Sequence, residues 1–275
     1  MKKILLATAM IAASTGYAAA EVTLSGDARM GIVSDGSDMM FSSRARVKFT
    51  LSGESDGGVA FGASFRANNA ADAANGQAGS VYVSGAFGKL EMGSNDSAVQ
   101  AAVGQVSGVG FTGLGDMNEV SHIGSEGPSN ILYTYSAGAV AVMVGAGQID
   151  SDDFSVAAKY STDAYNVALG WATDGSGFLD ADEIALAVGG TFGAAAVKAV
   201  FTDRSDTGSE YAVSATGTFG AAAVTVFYRD SETRDSAYGL GGCYDMGGGL
   251  SVVGGIAQKD DGSDAVADLG LTMSF

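Results

Sequence analysis

Five basic side chains share one face of three consecutive strand-like segments near the N-terminus. Side chains alternate between the two faces of a strand, so a basic residue flanked by apolar neighbours points to the opposite face from them. The residues concerned are Arg29 in 22–34, Arg44, Arg46 and Lys48 in 39–53, and Arg66 in 58–68. A row of like charges attracts anions and orients water, and its own repulsion requires an anionic partner nearby.

The connection 96–130 is by far the longest between strand-like segments, and it offers such a partner. It carries Asp116, Glu119 and Glu126, and it also holds His122 beside Ser121. A connection of this length is usually functional. We therefore expect the three carboxylates to face the basic residues. A catalytic Ser–His pair would need an orienting carboxylate, and the sequence places none beside it, so we predict that the protein is not an enzyme.

The elements that must position these residues show a period of two. The heptad TFGAAAV occurs at 191–197 and again at 218–224. Before the first copy, Ile184, Leu186 and Val188 alternate with Glu183 and Ala185, which is the pattern of a strand with two different faces. Each copy ends one strand at Phe, turns on Gly-Ala and begins the next strand, so we interpret both copies as hairpin turns.

The same pattern divides the chain into sixteen segments of roughly the 9 to 11 residues that a tilted strand needs to cross a bilayer. They are 22–34, 39–53, 58–68, 80–87, 89–95, 131–136, 139–147, 154–161, 164–173, 183–192, 194–203, 210–219, 222–230, 237–244, 250–259 and 265–275. Short turns alternate with longer, acidic connections. We predict an all-β fold, a 16-stranded antiparallel up-and-down transmembrane β-barrel. Phe87, Phe192 and Phe219 precede short turns, where an aromatic belt would lie.

Composition agrees with a membrane barrel and argues against other classes. The 275 residues are 47% hydrophobic, yet the net charge is −17. A soluble β-sandwich would need a second sheet over the apolar faces, and no segments remain to form one. A lone cysteine, Cys243, cannot form a disulfide within the chain, and with one His it cannot build a zinc or iron–sulfur site. We interpret Cys243 as a small apolar strand residue.

The N-terminus predicts an export signal. Lys2 and Lys3 precede an apolar stretch, and Ala18 to Ala20 form a small-residue cleavage site. We expect residues 1–20 to be a signal peptide cleaved after Ala20 and residues 21–275 to form the barrel. Without Lys2 and Lys3, 12 basic residues face 31 acidic ones, a net charge of −19.

Several motifs resemble the general diffusion porins of Rhodobacter-type bacteria. They are SGDARMG, FSSRARVKFTLSG, FGASF, SGAFGKLEMG, YTYSAG, YDMGGGLSVVGGIA and the ending VADLGLTMSF, spread over 21–275. The resemblance implies a homotrimeric outer-membrane porin whose third outer loop, 96–130, folds into the pore. It also implies that Arg29, Arg44 and Arg46 form the basic half of a constriction, and that Phe275 ends the signal read by the barrel-assembly machinery.

The family resemblance raises the question of calcium, for which Asp150, Asp152 and Asp153 supply hard oxygen ligands. Hydrated acidic loops are the simpler interpretation, and no cofactor is required. The expected partners are outer-membrane lipid and lipopolysaccharide, small polar solutes and ions, with no nucleic acid.

The resulting hypothesis is a passive channel for ions and small hydrophilic solutes that weakly prefers cations, because acidic loops surround its mouth. Two alternatives remain open: a substrate-specific channel and an outer-membrane adhesin or enzyme. Aromatic tracks along the lumen would favour the substrate-specific channel, but Tyr82 and Phe227 are scattered.

Overall fold

The computed structural model describes residues 20–68, 77–124, 130–147, 152–175 and 180–275. The strands form one closed barrel in which each pairs antiparallel with its neighbours in the chain, and the first pairs with the last. The predicted 16-stranded antiparallel barrel is therefore confirmed. The predicted signal peptide falls almost entirely on residues 1–19, outside the described residues, and its cleavage stays a prediction.

The strand bounds lie close to the predicted ones. They are β1 Glu21–Ser34, β2 Met39–Glu54, β3 Ala60–Asn68, β4 Gln77–Gly85, β5 Gly88–Gly93, β6 Asn130–Ala137, β7 Val140–Ala146, β8 Phe154–Ser161, β9 Tyr165–Asp174, β10 Ala181–Phe192, β11 Ala195–Arg204, β12 Gly208–Phe219, β13 Ala222–Ser231, β14 Ala237–Gly247, β15 Leu250–Lys259 and β16 Val266–Ser274. The largest shift is in β4, which was predicted at 80–87. Its predicted last residue, Phe87, instead lies in the turn to β5.

Burial alternates residue by residue along the strands, most regularly in β10. Ile184, Leu186 and Val188 are exposed, whereas the intervening Glu183, Ala185 and Ala187 are buried. In a closed barrel the exposed apolar residues face outward, toward lipid. The buried residues face the lumen, where other parts of the chain cover them. The period-two pattern in the sequence is thus the pattern of the two barrel surfaces.

The repeated heptads form two-residue turns. β10 ends at Phe192 and β11 begins at Ala195, and β12 ends at Phe219 where β13 begins at Ala222. Gly193 and Gly220 have φ of 63° and 65°, a left-handed conformation that glycine adopts without steric cost. Phe192 and Phe219 are exposed beside these turns, as the aromatic-belt hypothesis requires.

The two ends of the chain close the barrel. β1 and β16 pair from Asp27 opposite Ser274 to Ser34 opposite Ala267. The terminal residue takes part, since the Phe275 N–H donates to the Gly26 carbonyl at 2.9 Å and the Phe275 carbonyl accepts from the Gly26 N–H at 3.2 Å. Closure leaves no strand edge in lipid, where unpaired backbone groups are costly.

In the described part of the chain, the connection between β5 and β6 is the one long loop that contains helical segments. It contains α1, Ala98–Val103, which Ser97 caps through its side-chain oxygen, and a short 3₁₀ turn at Leu114–Asp116. The helix packs on β7 to β10 against the buried residues that alternate with the outward ones. The described part of the loop thus lies inside the barrel. No helix among the described residues is long and apolar enough to span a membrane.

Candidate functional site

The basic residues of β1 to β3 form a ladder on the lumen wall. Arg29 is directly opposite Arg44 in the β1–β2 register, and Lys48 is directly opposite Arg66 in the β2–β3 register. Like charges directly opposite each other destabilise a strand pair. The structure brings the five predicted basic residues together as one surface, which must be compensated by negative charge or by hydration.

The compensating carboxylate belongs to the wall itself. Asp27 of β1 accepts from Arg46 Nε at 3.0 Å through both of its oxygens, and Arg44 approaches it at 3.5 Å. All three side chains are partly exposed to the lumen. The sequence argument expected the anionic partner on the loop, whereas β1 supplies the nearest one two residues from Arg29.

Arg29 is bonded differently from the other four. It donates to the backbone carbonyls of Phe111 and Thr112 at 3.1 and 3.2 Å, and its guanidinium carbon lies 5.9 Å from the centroid of the Phe111 ring. The resemblance implied that Arg29 is a charge of the pore constriction. In the structure, the Arg29 guanidinium donates its hydrogen bonds to the loop.

The predicted acidic half of the site is only partly assembled. Asp116 lies exposed in the 3₁₀ turn, Glu119 is half-buried, and Glu126 is outside the described residues. No ion pair joins Asp116 or Glu119 to the basic ladder in the described part of the chain. Burial, with the nearby Asp116 carboxylate, raises the pKa of Glu119, against a smaller opposing effect of His122. That Asp116, Glu119 and Glu126 face the basic ladder stays a prediction.

Three wall carboxylates that sequence reasoning missed hold the loop instead. Glu183 and Glu210 are 0% and 1% exposed, and Asp268 is 6% exposed. A buried carboxylate is tolerated when donors satisfy it. The alternation that points Ile184 outward already points Glu183 inward, so an inward carboxylate on a face otherwise made of small residues such as Ala185 and Ala187 was the available signal.

Glu183 and Glu210 bind consecutive residues near the end of the described loop. Glu183 accepts from the Ile123 N–H at 2.5 Å and contacts His122 Nδ1 at 2.6 Å. Glu210 accepts from the Ser121 N–H at 2.8 Å and pairs with Arg234 at 2.7 Å. The two carboxylates therefore tie 121–123 to β10 and β12.

His122 does meet a carboxylate, Glu183, which the sequence argument did not foresee. The two side chains are 1% and 0% exposed, so no solute in the lumen can reach them. Ser121 contributes its backbone N–H to Glu210, and no bond between the Ser121 hydroxyl and His122 occurs in the described structure. The arrangement serves docking of the loop, and it lacks the accessible nucleophile that catalysis needs.

Donors on the wall complete the attachment. Lys198 Nζ donates to the Val103 carbonyl at the end of α1, at 2.7 Å, and Arg229 Nε donates to the Met117 carbonyl at 2.9 Å. The side-chain oxygens of Ser155 and Ser214 accept loop N–H groups at 2.9 and 3.1 Å. Lys198 therefore holds the end of α1 against the wall.

The helix of the loop sits on an apolar seat made almost wholly of alanine. The seat comprises the buried residues Leu132, Ala157, Ala168, Ala172, Ala181, Ala185, Ala187, Val200 and Ala212. Ala98, Val99, Ala102 and Val103 of α1 pack against it. Short side chains let a helix approach the wall closely, so α1 fills the part of the lumen beside β7 to β10.

Metal-binding and thiol chemistry receive no support from geometry. Of the acidic residues named for calcium, Asp150 lies outside the described residues. Asp152 and Asp153 are not part of any cluster of three or more possible metal ligands within the described ranges. Cys243 is a free, half-buried residue of β14.

Comparison with known proteins gives a consistent result. A model of the Gram-negative porin family matches residues 7–264. The chain is 39% identical to a porin of Rhodobacter capsulatus over 301 residues, covering 93% of this chain and 100% of that protein. A porin structure refined at 1.8 Å superposes with a TM-score of 0.82 at 38% identity, covering 93% of this chain and 100% of that one. A variant of the Rh. blastica porin gives 0.78 at 24% identity over 92% and 100%, a likeness of fold alone.

Proposed function

The chain belongs to the Gram-negative porin family, and from that premise we propose that its channel weakly prefers cations and sieves solutes across a transverse electric field. It is an outer-membrane channel for general diffusion, as the family and its close relative establish. The finer proposal concerns which residues line the open passage and what charge a permeating ion meets.

One observation carries the proposal: the open passage has a basic wall on one side. The loop is anchored to strands from β7 round to β16 and β1, whereas Arg44, Arg46 and Arg66 of β2 and β3 form no bond to it in the described structure. Charges on facing walls orient water and dipolar solutes, and they raise the barrier for apolar ones. Asp116 and Glu119 are the described carboxylates of the loop available for the facing wall.

Cation preference is supported by the charge of the outer loops. The chain carries a net charge of −17. Hydrogen bonds from the backbone of Asp38 and Ser37 lower the pKa of Asp35, and Arg204 lowers that of Asp206. Ser263 likewise lowers the pKa of Asp261. These loop carboxylates stay ionised well into acid, and negative charge at the mouth concentrates cations at low ionic strength.

The experiment is a zero-current potential measured in a planar bilayer under a salt gradient. We expect conductance that rises linearly with salt, with a small potential of cationic sign that grows as the salt is diluted. A potential of anionic sign at low salt would refute the charge assignment and leave the diffusion channel itself intact.

A substrate-specific channel is the alternative that the structure favours least. Aromatic side chains would have to form a track in the open passage. Phe227 is buried beneath the loop with Val109 and Leu114, and Tyr82 is covered by Lys89, whose Nζ lies 4.7 Å from the ring centroid. Saturable block of the current by one solute would support this alternative. The porin relatives are channels, which favours neither an adhesin nor an enzyme.

Four further proposals concern assembly, processing and calcium binding. We propose a homotrimer that contacts outer-membrane lipid and lipopolysaccharide, supported by membership of the porin family, and mass measurement in detergent tests it. Phe275, hydrogen-bonded to Gly26, is proposed to end the signal for the barrel-assembly machinery, and its deletion should reduce insertion.

We also propose cleavage after Ala20, which N-terminal sequencing of the mature protein tests. A calcium site near Asp152 is tested by calcium titration of the detergent-solubilised protein.

A further inference from the structure

Two consecutive loop residues are held on both sides by the strands that close the barrel. Asp268 of β16 accepts the N–H groups of Phe111 and Thr112 at 3.1 and 2.8 Å, and the Thr112 hydroxyl at 2.6 Å. Arg29 of β1 donates to the carbonyls of the same two residues at 3.1 and 3.2 Å. One acid and one base thus bind both N–H groups and both carbonyls of a single dipeptide.

The ring of Phe111 lies on a glycine seat between the same two strands. Gly31 and Gly270 are partners in the β1–β16 register. A Cβ at Gly31 would lie 2.9 Å from Phe111 Cε1, and a Cβ at Gly270 would lie 3.0 Å from Phe111 Cδ1. Such a Cβ would also clash with a backbone oxygen of the paired strand, that of Leu269 for Gly31 and that of Met30 for Gly270. Glycine at both positions thus lets the two strands and the ring pack together. Phe111 is 6% exposed in this position.

Arg29 donates to the loop, whereas Arg44 pairs with Asp27. The two arginines that face each other across β1 and β2 therefore have different bonds. We propose that Arg29 and Asp268 are positioning residues: together they clamp the loop at 111–112 against the wall and thereby set the width of the open passage. The charge of the passage is then set by Arg44, Arg46, Lys48, Arg66 and Asp27. This inference rests on the diffusion-channel function, and it adds the residues that determine the size limit for solutes.

The clamp is tested first by hydrogen exchange on the folded protein in detergent. A hydrogen bond to a charged group contributes enough that its loss should shift the clamped-to-released ratio roughly tenfold or more. We expect Arg29→Gln and Asp268→Asn each to accelerate amide exchange in loop peptides covering 111–112 by about that factor, with strand amides unchanged. The double variant should add little, because both side chains hold the same dipeptide. Arg29→Lys should restore part of the protection.

Arg44→Gln is the matched control, since it removes an arginine from the same wall without touching the loop. We expect it to leave exchange at 111–112 unchanged and to shift the zero-current potential toward cations. Unchanged exchange in Arg29→Gln, with a shift of the potential equal to that of Arg44→Gln, would overturn the clamp and make Arg29 an ordinary pore charge.

The size limit is tested by liposome swelling with a pentose and a trisaccharide. We expect the trisaccharide-to-pentose rate ratio to change at least about threefold in Arg29→Gln and Asp268→Asn, if tenfold more loop is released. It should stay unchanged in Asp163→Asn, which alters an exposed carboxylate in the turn between β8 and β9, away from the passage. Faster exchange with an unaltered ratio would refute the role in sieving. If the unsubstituted protein neither conducts nor swells liposomes, the channel function itself is contradicted. The hydrogen-exchange result would still test the clamp independently of that function.

Discussion

Asp27 makes the sharpest test of the charge assignment, because it is the carboxylate within the basic ladder. Asp27→Asn keeps the size of the side chain and removes one negative charge located 3.0 Å from Arg46 and 3.5 Å from Arg44. The barrel wall and the loop contacts are left in place, since among the described residues the Asp27 side chain bonds to Arg46 and Arg44 and not to the loop. The expected result is a loss of cation preference.

The magnitude follows from Coulomb's law. One unit charge about 8 Å from an ion in water contributes about 0.5 kcal/mol, which screening at 0.1 M salt reduces to about 0.2 kcal/mol. Cations and anions are affected in opposite directions, so the difference is about 0.5 kcal/mol and the cation-to-anion permeability ratio should fall about twofold. At 0.01 M salt, where screening is weaker, the fall should be about fourfold.

The assay is the zero-current potential under a salt gradient, recorded at both ionic strengths. Asp163→Asn is the control, because Asp163 is an exposed carboxylate in the turn between β8 and β9, at the end of the barrel opposite the long loops. It should leave the ratio close to that of the unsubstituted protein. A ratio that is unchanged in Asp27→Asn, or that rises, would refute the view that the ladder and Asp27 face the permeating ion.

Three further predictions concern the loop. Burial and Asp116 raise the pKa of Glu119, so this carboxylate is protonated at a higher pH than an ordinary one. As the pH is lowered, the cation preference should begin to fall at that higher pH. In Glu119→Gln, this part of the pH dependence of the zero-current potential should be absent. Ile123→Ala should weaken docking of the loop by about 2 kcal/mol or more, seen as faster amide exchange over 98–123, whereas Ile184→Ala on the lipid-facing surface should not change it. Ala187→Leu should displace α1 from its seat by overpacking, so unaltered protection of 98–103 would contradict the packing described.

The barrel could be predicted from sequence because its determinants are local. Alternation of Ile184, Leu186 and Val188 with Glu183 and Ala185 is visible within six residues, and the turn at Gly193 is marked by its own glycine. Strand number and pairing then follow, because an up-and-down barrel pairs each strand with its neighbour. The bounds of β4 differ from the predicted ones by two or three residues, because the position of a strand end depends on the turn that follows.

The candidate site was harder to predict because its bonds join distant parts of the chain. Phe111 and Asp268 are 157 residues apart, and no local pattern says that they meet. Repulsion within the ladder correctly indicated an anionic partner, yet the partner is Asp27 in the adjoining register position, and the loop is held by carboxylates of the wall. Inward alanines such as Ala185 were visible, and a row of small apolar residues on a wall supposed to face water was a sign that something packs there.

The clamp has a consequence for the order of folding. Arg29 and Asp268 lie on the first and last strands, which become neighbours only when the barrel closes. Their shared dipeptide, 111–112, can therefore be gripped from both sides only after the last strand has joined the first. A chain stalled as an open sheet would carry its middle loop only partly docked, and narrowing of the passage would be among the last events of assembly.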